Sequence, residues 1–367
     1  MRLFYLSFLL LIIHHLAVAE VSIRQTLLLT AEEQQYLMKL IQQNKEVQNL
    51  WYSVKEAAQH ILDDQPNPLQ IIHYEGLLDT NPKRIATEKS LRDMDKLAVL
   101  LNAYYGTQNK AYAAKAKKYI LAWVNTYQAT GNPINENKFE PLIHSYQVMR
   151  SYFSPSEKEL VNQWLVKIAE AEMANPNIPE NNWKAKQIKL IGTIGLVLQK
   201  ESYVQYAAEN FKAYVDKSLY GDGGSRDLEQ RDALSYHTSG LDPLLTYAIT
   251  VDQLGDGVAT DFFRYENPDG GSIKRSVDFV IPYASGEKEY KEWVNTKVEL
   301  DKRRAEAGLE KYQPGKLFDP KESRDTFELA YFFDPSYKPI IQGLSENSFE
   351  DYNSWFSVLI DVSRQNI

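Results

Sequence analysis

Residues 95–135, DKLAVLLNAYYGTQNKAYAAKAKKYILAWVNTYQATGNPIN, carry two apolar runs at helical spacing, joined by a short polar link and stopped at Gly131-Asn132-Pro133. Two helices with so few residues between them fold back as an antiparallel hairpin. The same pattern extends in both directions, and the spacing predicts helices over 31–63, 87–105, 109–128, 138–153, 155–174, 182–199, 202–217 and 225–254. Ser154-Pro155 supplies one of them with a cap residue and a first-turn proline. No exact period recurs, which argues against a regular solenoid. Many non-identical hairpins in succession predict an all-α fold, a barrel of helical hairpins in which paired helices ring a central cleft. VDFVIPY (277–283) is the best strand candidate, and the charged stretch 286–325 reads as an exposed helix docked through Trp293 and Val298.

The chain has 367 residues, no cysteine, and 41 basic against 49 acidic side chains, for a net charge of −8. Disulfides, Cys-ligated metals and a thiol nucleophile are therefore excluded. An acidic chain has no general attraction for nucleic acid or anionic lipid, so neither is expected as a partner. Residues 1–19 read as a secretory signal: Arg2, the apolar run LFYLSFLLLII and the Ala17-Val18-Ala19 cleavage site. That run is shorter than the roughly 20 residues a membrane span needs, so no membrane insertion is expected after cleavage. The remainder, 20–367, reads as one domain in the periplasm or outside the cell. His60, His73, His144 and His237 are its histidines. Their scatter, with no H-E-x-x-H, P-loop or dinucleotide fingerprint, implies neither a catalytic metal nor a cofactor.

Two segments carry residues suited to chemistry. Asp222–Leu245, DGGSRDLEQRDALSYHTSGLDPLL, opens on glycines and places Arg231, Tyr236 and His237 close together. On one continuous helix, at about 100° per residue, they would not share a narrow stripe. The bland reading is a packed tyrosine and a satisfied histidine. In Asn181-Asn182-Trp183 an asparagine pair opens an apolar helix. Such a pair caps the helix, or offers Asn182 to a substrate carboxylate while Trp183 stacks on a sugar.

DGxxxDLxxRDALxYH followed by LxPL, with NNW before its apolar helix, resembles the alginate lyase superfamily. The segments 95–135 and KFEPLIHSYQVMRSYF (138–153) are similar to it as well, in matching order across roughly residues 73–250. The resemblance implies an incomplete α/α toroid and β-elimination of a uronate polysaccharide. Removing a proton α to a carboxylate requires a group that offsets the carboxylate charge, a base at C5 and an acid for the leaving O4. The resemblance assigns Asn182 and Arg231 to the first role and Tyr236 to proton transfer, which a tyrosine with a reference pKa of about 10 performs only beside cations such as Arg231, His237 or Lys186.

Two departures stand out. Trp183 occupies the place where family members carry histidine, which leaves Tyr236 as both base and acid, or calls on His237 or His144. Glu229 stands where some branches have their arginine, and Arg231 fits the RDALxYH branch. Holding a polyanion against a charge of −8 also calls for local cations, for which Lys83, Arg84, Lys186 and Arg231 are the candidates. A glycoside hydrolase using Asp222, Asp227 or Glu229 and a noncatalytic sugar-binding protein are the alternatives.

Overall fold

A computed structural model describes residues 25–255, 258, 260–345 and 351–364; the signal reading at 1–19 lies outside them. The hairpin expected from residues 95–135 forms between Pro82–Thr107 and Lys110–Thr126. Gln108 turns the chain with a φ of 55°, and Asn109 caps the second helix by accepting from Ala111 N. Further helices run over Ala31–Gln43, Lys45–Ile61, Glu140–Met149, Pro155–Ala174, Asn182–Leu198, Glu201–Ser218 and Leu234–Leu254. The predicted 31–63 helix is two, because the Asn44 side chain accepts from Glu46 N and Val47 N and starts a new one.

Asn182–Leu198 is the central staff, packing most extensively on Leu234–Leu254 and Glu201–Ser218. Two glycines explain the closeness. A Cβ on Gly192 would lie 2.2 Å from the Tyr247 ring, and one on Gly195 would lie 2.9 Å from Tyr203 Cβ. Glycine inside a helix costs about 0.5–1 kcal/mol relative to alanine, and here that loss admits the neighbouring helices to backbone contact. The asparagines at its start and the tyrosine on its partner helix are thereby held on adjoining rigid elements.

Two expectations are corrected. VDFVIPY lies in a helix, Ile273–Ala284, whose buried Ile273, Val277, Val280 and Ala284 recur at spacings of three and four. The β-branched composition suggested a strand, but the buried stripe has helical period. The charged stretch is not one long helix: it holds the short helix Glu299–Glu306 and a two-residue antiparallel pairing of Lys291–Glu292 with Lys316–Leu317. Trp293 is 1% exposed and does anchor it, while Val298 is half-buried.

Candidate active site

The predicted helix 225–254 is broken between Arg231 and Tyr236. Arg226–Arg231 ends at Asp232, whose φ is +54°, and a new helix begins at Leu234. Aspartate tolerates this left-handed conformation better than most residues. The break removes the angular separation a continuous helix would impose. It places the Arg231 guanidinium 3.9 Å above the centroid of the Tyr236 ring.

Asn181 is the cap, accepting from Trp183 N, which frees Asn182 for another role. Asn182 is buried with its side-chain oxygen unpartnered, and Trp183 is half-exposed in the same turn. Lys186, one turn further, reaches Ser239, its Nζ 3.3 Å from the carbonyl oxygen. That carbonyl lacks its helical partner because residue 243, four positions on, is a proline without an N–H. The LDPL turn thus aims Lys186, and burial pushes this ammonium down to about 7. Asp227, buried beside Gly240, is pushed up to about 6, chiefly by burial and against the pull of Arg231 and Lys186. Asn182 N–H and the Tyr214 hydroxyl face its carboxyl group without meeting strict hydrogen-bond geometry.

Tyr236 is half-buried and its hydroxyl oxygen accepts from Arg304 Nη1 at 3.2 Å. Its ring meets Trp293 edge-on at 5.6 Å. Arg231 is paired with Asp301, donating to Oδ1 and Oδ2 at 2.5 and 2.7 Å, and not with Asp227 one turn back. Asp301, Arg304 and Tyr312 were missed in the sequence because they belong to the charged stretch read as a solvated helix. The signal available was Trp293, an aromatic in a run of charges.

His237 does not join this group. It is fully buried, with Nε2 2.9 Å from the Ser276 carbonyl and Nδ1 2.7 Å from the Ser225 hydroxyl. The carbonyl only accepts, so Nε2 carries the proton and Nδ1 accepts from Ser225. The same serine oxygen caps Arg226–Arg231 through Leu228 N. His237 therefore orients a cap beneath Arg231 and does not face the site. Burial pushes it down to about 4. The unfolded chain binds this proton more tightly than the fold does. The associated stability is complete above about pH 6.5 and is lost as pH falls towards 4. His237→Asn should keep turnover of the folded protein within an order of magnitude, while lowering stability by about 1–3 kcal/mol and flattening that acid decline. Denaturant titrations between pH 4 and 8 check this, and wild-type stability with lost turnover would return His237 to the chemistry.

A cleft of about 930 Å³ is lined by Asp242 and Thr246, further along the helix that carries Tyr236. His144 lines it, buried, with Nδ1 2.7 Å from the Thr26 hydroxyl and Nε2 unpartnered. The wall carries Arg92, Lys138 and Lys189 against Glu88, Asp95, Glu140, Asp242 and Asp325, three cations facing five carboxyl groups. The wall is therefore mixed, contrary to a basic cleft. Asn182, Lys186, Arg231 and Tyr236 are not part of it; cations gather at their cluster, and the fields of Lys138, Lys189 and Asp242 reach Lys186. Arg84 stacks on Tyr74, another wall residue, at 4.6 Å, and is held by Asp79 and Glu88. Lys83 is exposed. No group of three or more His, Asp or Glu suited to a metal ion occurs among the described residues.

A ring of helical hairpins beside a cleft, with an arginine-flanked tyrosine and an asparagine on the central helix, is the architecture of a lyase toroid. The alginate lyase family model matches residues 38–290, and the chain belongs to that family of polysaccharide lyases. An alginate lyase from Bacteroides ovatus superposes with a TM-score of 0.67 at 17% identity, covering 92% of this chain and 99% of that one. Alginate lyase A1-III from Sphingomonas species A1 gives 0.52 at 17% identity, covering 78% and 91%. An alanine variant of alginate lyase A1-III complexed with tetrasaccharide gives 0.55 at 16% identity, covering 82% and 85%. No curated protein sequence matches the chain significantly. The fold is the α/α toroid expected from the hairpins.

Proposed function

We propose that this lyase is exported and cleaves a uronate-containing polysaccharide, alginate or glucuronan-like, by β-elimination to 4,5-unsaturated products. The observation that carries this reading is the half-buried Tyr236, whose hydroxyl accepts from Arg304 and whose ring lies under Arg231, on a helix packed against the one that Asn182 opens. The Tyr236 phenolate takes the C5 proton and becomes the hydroxyl, the C5–H electron pair forms the C4=C5 bond, the C4–O4 bond breaks with its electron pair passing to O4, and the hydroxyl gives that proton to O4, which regenerates the phenolate. Atoms and charge balance without water or oxidant, and Trp183 in place of a histidine leaves one group to serve as base and then acid. The Asn182 amide and Lys186 offset the uronate carboxylate. Trp183 offers a sugar-stacking face, and His144 and the Arg84–Tyr74 pair border the path of the polymer. The signal pattern at 1–19 supports export to the periplasm or beyond, and among the described residues no helix is long and apolar enough to cross a membrane.

A hydrolase is disfavoured by geometry. Asp222 and Glu229 face solvent while Asp227 is buried, so these carboxylates do not flank one bond. Incubation with alginate, glucuronan and related polyuronates, followed by ultraviolet absorbance, tests the proposal. Elimination creates the conjugated chromophore. Reducing ends without absorbance would indicate hydrolysis, and binding without cleavage a noncatalytic protein.

A further inference from the structure

We propose that Arg304, carried by the segment 290–312, is the positioning residue that holds the Tyr236 oxygen in its anionic form during proton transfer, and that Asp301 withdraws Arg231 from the substrate carboxylate. The proposal rests on the lyase reading but departs from the role expected of Arg231. The family match ends at residue 290, so Asp301, Arg304 and Tyr312 all lie beyond it.

The segment is built onto the break between the two site helices. Trp293 N donates to Asp232 O at 2.7 Å, Tyr290 Oη to Asp232 Oδ1 at 2.6 Å, Asn295 N to Asp232 Oδ2 at 2.7 Å and Lys297 N to Gln230 O at 2.8 Å. Glu292 Oε1 accepts from Ser235 N at 2.8 Å, next to the tyrosine. Trp293 has a φ of +66°, a conformation costly for a bulky side chain and maintained only where the surroundings over-determine it. With Asp232 at +54°, two residues in the left-handed region, the tryptophan strained and the aspartate tolerant of it, meet across one hydrogen bond at this seam. Such concentrated anchoring is more than a solvated surface run needs.

The arginines then divide the work. Arg231 gives its Nη1 to both oxygens of a buried carboxylate and its face to the tyrosine ring, so its charge is largely compensated before substrate arrives. Arg304 lies 3.5 Å from the same carboxylate, a looser contact, and directs Nη1 at the Tyr236 oxygen. Its guanidinium also covers the Tyr312 ring at 4.7 Å, which fixes the plane of the fork, and the Tyr312 hydroxyl faces Tyr236 as the second titratable group at this oxygen, itself pushed up by burial and by Tyr236. When the tyrosine gives up its proton, the new negative charge appears where Arg304 already donates. No reorganisation is needed at that moment.

The test uses the full mature chain labelled with ¹³Cζ-tyrosine, with the Tyr236 signal identified by its absence in Tyr236→Phe. In Arg304→Met the pH at which that signal changes should rise, and in Arg304→Lys, which keeps charge but loses the fork, it should rise less. Arg231→Met should move it less than Arg304→Met. Kinetically, Arg304→Met should lower kcat by about 100-fold and shift the rate optimum to higher pH, with KM changed less than threefold. Should the wild type yield no unsaturated product on any polyuronate while the signal still responds to Arg304→Met, the lyase reading falls and the Arg304–Tyr236 pairing stands. A Tyr236 signal and pH profile indifferent to both Arg304 variants, each shown folded by circular dichroism, would overturn the proposal.

Discussion

Tyr236→Phe is expected to lower turnover by about 10²- to 10⁴-fold, the range that one positioned acid–base group contributes. The change removes a single oxygen and leaves the ring between Arg231 and Trp293, at 3.9 and 5.6 Å. The hydroxyl's donor is Arg304, which retains Asp301 and the Tyr312 ring, and the Tyr312 hydroxyl that also faces it stays in place, so the melting temperature should move by only a few degrees. Because the same group is base and acid, both halves of the proton transfer disappear together, and added amines should not restore the rate as they do when only a base is missing. Steady-state kinetics on the polymer that gives the strongest ultraviolet signal, beside a thermal melt of the same preparation, separate chemistry from folding. Near-wild-type turnover in folded Tyr236→Phe protein would remove Tyr236 from the mechanism, and with it the purpose assigned to Arg304.

The hairpins were legible because their information is local. Apolar spacing and Ser154-Pro155 at a helix start are short-range signals that survive into the fold. The break at Asp232 was not, since DLEQRDALSYH is compatible with uninterrupted helix and the left-handed turn is imposed by partners 58 to 63 residues away, Tyr290 and Asn295. This one turn decides whether Arg231 meets Tyr236. The pair Asn181-Asn182 is legible as a helix start, and which of the two caps it follows from geometry, because only the first asparagine sits where its side chain reaches Trp183 N. The burial of His237 is not legible from its position beside Tyr236, which suggests shared exposure. Its actual surroundings come from Ser276 and Phe279, on a helix whose valines looked like a strand. Arg304 was hidden for a related reason: in sequence it is one charge among many, and only the burial of Trp293 shows that this run turns inward.

Asp301→Ala should destabilise the protein by about 3–5 kcal/mol, the cost of removing one partner of a buried ion pair. The carboxylate is 1% exposed and lies between Arg231 and Arg304, themselves 9% and 8% exposed, so its loss leaves two guanidinium groups close together without their shared counterion. Repulsion between them, unscreened by water, should turn Arg304 away from Tyr236 and detach the segment that Trp293 anchors. Turnover should therefore fall along with stability. Asp301→Asn, which keeps the shape and one acceptor oxygen, should fall between the wild type and alanine on both scales. Adding Arg231→Met to Asp301→Ala should recover part of the lost stability, because the cation left behind and not the missing contact is the larger penalty. Denaturant unfolding of the three variants gives the comparison directly. A loss below about 1 kcal/mol for Asp301→Ala, the range of exposed pairs, would mean that water reaches this carboxylate and that the segment is not held by charge at all.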